Sequence, residues 1–347
     1  MSKKLKIELF LLENLIWVLV AFFFLFNAIV TPNFATTRNI INILYHSSIM
    51  SMLVLGEGLI LIIGNLDLSL ESILAFAPGM AMLLAVKWFP GAFGPVACIL
   101  ITLLVGALIG LFNGILISRV QVNPFLQTLS MLIMLRGLVL FLVPFSIFPL
   151  PETYAYLGQG WVFDKIPAAI LAVFVIYLGF HLVLQYTTFG RKYMATGGNP
   201  KASFVSGINT SRMVIIAFVL SGLLAAVAGL LAAGRQGSVN NSMGTGMVML
   251  AFAGAILGGA SLEGGKGTPV GMLGGAILLG MISNSLTLLG VQATLVYATQ
   301  GALIFLAIII DRLRIYIRNR LLHQEQLRKL ALEQREDEGG AAPPVSG

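Results

Sequence analysis

Charge is scarce in this chain: of 347 residues only 10% are Asp, Glu, Lys or Arg, while 58% are hydrophobic. With a mean hydropathy of +0.94, it has too little polar surface to enclose a soluble core. One cysteine, Cys98, and three histidines leave no disulfide framework and no metal-ligand cluster, which disfavours redox and zinc chemistry. The short alternating segments that build β-barrels are missing too. So is an internal motor. The nearest approach to a phosphate-binding loop, "ASLEGGKGT" (260–268), has Ala260 where the motif needs Gly, and Gly267 where it needs the hydroxyl that binds magnesium. No nucleophile-base constellation suggests a membrane enzyme.

What the chain does have is a succession of apolar runs, each near the roughly 20 residues that a helix needs to cross the hydrocarbon core. They fall at 9–30, 48–64, 71–88, 95–118, 125–147, 167–186, 213–233, 247–261, 269–290 and 293–310. That pattern predicts an all-α polytopic membrane protein of about ten spans. Lys3, Lys4, Lys6, Arg119, Arg191, Lys192, Lys201, Arg212, Arg312, Arg314, Arg318 and Arg320 all fall on one side if both termini are cytoplasmic, as the positive-inside rule requires. Residues 1–311 then form one transmembrane domain. Residues 312–347 begin as a basic, partly apolar stretch that fits a helix at the membrane surface and end in "GGAAPPVSG", a disordered tail.

Two polar interruptions stand out. The first is "GNLDLSLES" (64–72). A single helix over 48–88 would be about 60 Å long, twice the hydrocarbon thickness, so the chain must break, and Gly64-Asn65 is the natural place. Asp67 or Ser69 can cap the next half, where the helix dipole also favours Asp67 and Glu71. These acids either line a cavity beside a broken helix or sit solvated in a plain turn at the interface. Glu57 and Arg136 must likewise face protein, water or an interface rather than lipid. Asn113, Gln127, Thr128 and Asn284 are neutral hydrogen-bonding groups suited either to a weakly held solute or to gluing helices together.

The second interruption, "GRKYMATGGNPKASFVSGINTSR" (190–212), is the largest cytoplasmic connection. Asn199 suits an N-cap, Pro200 the first helical position and Gly207 the position just past a helix end. They bracket a helix of about two turns, too short to persist unless it docks. Within this loop "ATGGNPKASFVSGI" resembles the coupling loop of the sugar-type permeases of bacterial ATP-binding-cassette importers, the ribose, xylose, arabinose and galactose permeases among them. "GEGLILIIGNLDLSLESILA" (56–75), "NGILISRVQVNPFLQTLSMLIMLRGL" (113–138) and "GAILGGASLEGGKGTPVGMLGGAILLGMISNSL" (254–286) resemble other segments of that family, in order.

The resemblance implies a type II importer permease of ten helices, working as a homodimer or heterodimer in the bacterial inner membrane. It implies an ATPase partner that carries the ATP and magnesium, and a periplasmic or lipoprotein-type binding protein that delivers a monosaccharide or similar small solute. Lipids surround such a protein, and no nucleic acid or cofactor of its own is implied. Gly198, Asn199, Pro200, Lys201, Ala202, Ser206 and Gly207 would couple to the ATPase. Gly64, Asn65, Asp67, Ser69, Glu71, Asn113, Thr128, Arg136 and Asn284 are the candidates for the translocation path or the helix break. Glu71 departs from the family's Gly at that point, and "GTGMVMLAFAGA" (244–255) lacks the polar element often found there; both lie where solute preference could be set. The competing reading is an ion-coupled secondary transporter of a small polar solute, which would be expected to keep acidic or histidine relay groups in the membrane.

Overall fold

The computed structural model describes residues 14–292 without a gap, and then 295–296, 298–299, 301–302, 304–310, 312–313, 316–318, 320–321, 323–324 and 326. The N-terminal lysines, the first five residues of the 9–30 span, Arg314 and the tail from 327 lie outside the described residues.

The described chain is almost wholly helical. In order it runs α1 (Leu15–Val30), α2 (Thr37–Ile62), α3 (Leu70–Met82, continued by a wider π turn over Leu83–Trp88), α4 (Pro95–Ser118) and α5 (Pro124–Leu142). A short α6 (Glu152–Gln159) and a two-residue antiparallel pair, β1 (Trp161–Val162) with β2 (Ile166–Pro167), precede α7 (Ala168–Tyr186). Then come α8 (Thr188–Gly198), α9 (Pro200–Val205), α10 (Thr210–Gln236), α11 (Met247–Leu257) and α12 (Pro269–Leu288). Seven of these, counting α3 with its π turn, are long and apolar enough to cross a membrane, and α1 and α11 are shorter apolar helices.

The helices form an inner and an outer set. The most apolar stretches of α2 and α3 are 72% buried, whereas those of α4 and α5 are only 22% buried. On α4 the exposed positions Val96, Leu100, Leu104, Leu108, Phe112 and Ile115 recur at nearly every fourth residue, a stripe suited to lipid. The opposite face carries Gly106, Gly110 and Gly114, also four apart. A side chain on any of the three would run into the backbone of α10 at Gly222, Phe218 or Ile215. Small residues at this spacing let two helix backbones meet, the source of van der Waals gain when lipid leaves no hydrophobic driving force between helices. Gly254 and Gly258 of α11 cross Gly275 and Gly271 of α12 in the same manner.

Two spans differ from expectation. The span placed at 48–64 is α2, which begins at Thr37, because Asn39 in its polar first turn is buried against protein rather than left in a loop. Asn39 and Asn284 exchange side-chain hydrogen bonds of 2.9 and 3.0 Å, and Thr36 accepts from the Asn39 amide as the N-cap. The span placed at 125–147 stops at Leu142, because Ile147 leaves the helix to bridge Val239.

Candidate functional site

The helix break is built from both of its ends. α2 stops where Gly64 takes φ +80°; the Gly64 amide donates to Leu61 and the Asn65 amide to Ile60, which satisfies the last carbonyls. The chain then runs without helix to Ser69 and turns into α3. Ser69 does not cap α3 with its side chain, contrary to expectation, because its backbone is already helical and its hydroxyl is taken by Asp67 at 2.5 Å. Asp67 does not cap α3 either; its Oδ1 also accepts from the Ser69 amide at 3.0 Å, one step before the helix.

Around this turn a polar network closes inside the bundle. Ser221 of α10 donates to Asp67 Oδ2 at 3.1 Å, Asn113 of α4 donates to the Ser69 hydroxyl at 3.1 Å, and Gln127 of α5 donates to Asn113 at 3.1 Å. Thr128 donates back to the Pro124 carbonyl at 2.8 Å. Asp67, Ser69, Asn113, Thr128 and Ser221 are all completely buried. A solvated interface turn is therefore ruled out for Asp67. Glu57, one residue from the Gly56 that touches α3 and α10, is also buried, with neither oxygen hydrogen-bonded among the described residues.

Glu71 lies farther in. Its Oε1 is 3.4 Å from Arg136 Nη2, and its Oε2 accepts from the Val248 amide at 3.3 Å, in the first turn of α11. Arg136 Nη1 donates to the carbonyls of Asn241 and Met243 at 2.9 and 3.1 Å. Measured along α5, Arg136 is about 18 Å from Pro124 at 1.5 Å per residue, and Ser72 donates to the Leu132 carbonyl at 2.8 Å, one turn nearer that end. The limb after Gly64 thus climbs between helices before α3 begins. α11, with 11 residues, is about 16 Å long, half a crossing. Two discontinuous helices present their N-termini to one carboxylate, where the positive ends of both dipoles favour negative charge.

In the second interruption, α9 is capped from within its own residues. Asn199 caps α9 by accepting from the Ala202 amide at 3.0 Å. Pro200 is its first residue. Gly207, at φ +81°, donates to Phe204 while Ile208 donates to Ser203, the same closure that ends α2. Ser206 donates to Ala202 at 2.9 Å. Phe204 is 70% and Val205 86% exposed, whereas Ser203 is buried. Lys201, Ala202, Ser206 and Gly207 are exposed as well, so the helix stands out with two large apolar side chains unpartnered among the described residues. Arg119 and Arg212 line a groove beside it with Phe204 and Gly207.

Glycines join the two interruptions. Gly197 and Gly198 end α8, immediately before the Asn199 cap. A Cβ on Gly197 would collide with the Ile62 carbonyl, and one on Gly264 or Gly265 with the backbone of Gly197 or Gly198. The Gly265 amide donates to the Ile62 carbonyl at 2.8 Å. Tyr193 reinforces the junction by donating to the Leu59 carbonyl at 2.8 Å, and burial raises its phenol, which stays a neutral donor. The residues just before α9, the end of α2 and the loop between α11 and α12 are thus in backbone contact. Gly264 and Gly265 of "SLEGGKG" are needed for that contact.

Of the sequence candidates, the structure brings together Asp67, Ser69 and Asn113, and separately Glu71 with Arg136. Asn284 is apart, paired with Asn39. Sequence reasoning missed Ser221, and it singled out 244–255 without seeing that 241–248 holds Arg136 and Glu71; only the small-residue spacing of α4 could have brought α10, which carries Ser221, next to the break.

A family model described as branched-chain amino acid transport system / permease component matches residues 39–308. The chain is 34% identical over 288 residues to the ribose import permease protein RbsC of Escherichia coli K12, covering 81% of this chain and 88% of that one. It is 33% identical to RbsC of Bacillus subtilis 168, covering 82% and 88%. It is also 33% identical to the galactose/methyl galactoside import permease protein MglC of E. coli K12, covering 82% and 89%. No solved structure matches.

Proposed function

Since the chain belongs to the permease-component family of branched-chain amino acid type transport systems, a multi-pass membrane protein with no catalytic role of its own, we propose that it forms the translocation path of an ATP-driven importer for a monosaccharide. The observation that carries the solute class is the similarity, over 81–82% of this chain, to ribose and galactose import permeases. In this reading two permease subunits of the ten-span type II fold, identical or different, pair in the bacterial inner membrane with both termini cytoplasmic. A solute-binding protein delivers the sugar from outside, and an ATPase subunit, which holds the ATP and magnesium, docks from the cytoplasm.

Residues 198–207 are the docking element. The exposed Phe204 and Val205 support this role, since a capped two-turn helix that projects apolar side chains into water is unstable unless something covers them. The glycine junction would carry a displacement of α9 to the ends of α2 and α11. Asp67, Ser69, Asn113 and Thr128, sealed and bonded to one another or to their own helix, hold the break in shape and do not touch the solute.

The test is isolation of the chain from native membranes with its partners, followed by reconstitution and measurement of ribose and galactose uptake. Uptake that requires ATP and a co-isolated ATPase is the expected result. Uptake by the chain alone, driven by a proton or sodium gradient, would establish the secondary-transporter reading instead.

A further inference from the structure

The exposed residues of the helices are not alike on all sides. On α4 and α7 they are apolar along the membrane-crossing length: Leu100, Leu104 and Leu108 on one, Phe174, Val175 and Leu182 on the other. On α2 the exposed residues are Thr37, Arg38, Asn42 and His46, and on α12 they include Ser283 and Thr287. His46 is about 24 Å along α2 from Ile62, well inside the crossing. Hydrocarbon would not solvate an imidazole and a pair of hydroxyls at that depth, so this face looks onto water or protein.

A cavity of about 310 Å³ opens there, lined by His46, Met247, Ser283, Asn284, Thr287 and Thr299 among others. That is the lower end of the range for small-molecule sites. Its walls mix methionine and leucine with hydroxyl, amide and imidazole groups and, among the described residues, include no acid or lysine. His46 is held by Arg235, whose Nη2 lies 2.6 Å from His46 Nε2 and whose guanidinium stacks over the Tyr45 ring at 4.1 Å. Arginine can only donate, so Nε2 accepts and Nδ1 carries the hydrogen. The opposite edge of the ring is thereby set as a donor. Asn284 is oriented from behind by Asn39. Apolar surface with fixed neutral hydrogen-bonding groups suits a neutral polyhydroxylated solute, held without the strong charge pairing that would slow its release.

We infer that this chamber between α2, α11 and α12 is where the sugar rests on its way through the permease pair, with His46, Ser283, Asn284 and Thr287 as its contacts. The inference rests on the sugar-import reading and adds the site to it. Its location differs from the Asp67 network, where Asp67, Ser69, Asn113, Thr128 and Ser221 are completely buried.

The single cysteine, Cys98, is buried, so an introduced thiol is the one a hydrophilic reagent reaches. Thr287→Cys and, as a second variant should the first not assemble, Ser283→Cys are made in the full complex, with Leu104→Cys as the lipid-facing control. Each is treated with a membrane-impermeant thiol reagent with and without ribose and galactose under transport conditions, while uptake by the unmodified complex is followed in parallel. The expected result is labelling at 287 or 283 but not at 104, accompanied by loss of uptake and slowed about tenfold by a transported sugar supplied at about nine times its Kd. Labelling at an unchanged rate with sugar present, or none at either position, in a complex that transports, overturns the chamber and leaves sugar import standing. Absence of uptake of either sugar by the unmodified complex overturns both.

Discussion

Residues 63–72 and 199–207 use nearly the same alphabet, a glycine at positive φ, an asparagine, serines and charge (Asp67 and Glu71 in the first, Lys201 in the second), to interrupt apolar helices. Their surroundings differ completely. Asp67 and Ser69 find partners on α4 and α10, and Glu71 on α5 and α11. Asn199 and Gly207 find theirs within α9, three residues away. A polar residue that must be satisfied across the bundle is committed to the fold, because leaving it unpaired in a water-free interior costs the full desolvation penalty. One satisfied within its own turn leaves the outward side chains free for another molecule. The comparison makes a division: changes in the first segment should be read in stability, and changes in the second in association.

The largest effect is expected where the two segments meet. Gly197→Val places a branched side chain against the Ile62 carbonyl, with the Gly265 amide 2.9 Å from its Cβ. Backbone on both sides cannot rotate away, so the helix ends must separate. The cost should reach about 3 kcal/mol or more, the upper range for overpacking, seen as loss of folded protein in membranes. Gly207→Ala, strained only by its φ and with open space around it, should cost about 1 kcal/mol and leave the bundle intact. Equal losses from the two would erase the distinction between committed and free segments.

Arg136→Met tests the buried side more narrowly. It leaves Glu71 facing two helix N-termini without its cation and frees the Asn241 and Met243 carbonyls. With the pair partly solvated, at side-chain exposures of 17% and 10%, about 3 kcal/mol is expected, the low end for breaking a buried ion pair. Removing Glu71 as well should recover part of it, and a thermal-unfolding cycle over the two single variants and the double reads the coupling. Additive losses would mean that Glu71 is held by the Val248 amide alone.

What could be read from the sequence follows the same division. The limits of α4 and α7, and the whole of α9, rest on local signals: Pro95 opens one helix, Asn199 and Gly207 bracket another. The start of α2 lies eleven residues before the predicted one because Arg38, Asn39 and Asn42 have the composition of a loop, and the partner that holds Asn39 on the helix bundle is Asn284 of α12, 245 residues away. Glu71 had no explanation from its neighbours for the same reason. Its partners are 65 and 177 residues distant, and no periodicity within one helix encodes a contact of that span. The glycine spacing of α4 is the exception, a long-range contact written locally, since three glycines four apart need a second backbone to be useful.

The smallest effect on the fold, and the sharpest on function, is expected at the tip of α9. Phe204→Ser with Val205→Ser removes two exposed side chains that touch no core cluster, and unfolding should shift by no more than about 0.5 kcal/mol, as for surface substitutions elsewhere. Asn199→Ala removes the cap and should cost about 1 kcal/mol locally, loosening α9 without opening α8, whose own end is fixed by Gly197 and Tyr193. If the exposed pair covers a hydrophobic groove of an ATPase, the double variant should lose co-purification with it and lose solute-stimulated ATP hydrolysis, while Asn199→Ala weakens both and abolishes neither. An ordering in which the cap matters more than the apolar pair would make the shape of the helix, rather than the surface it presents, the feature the partner reads.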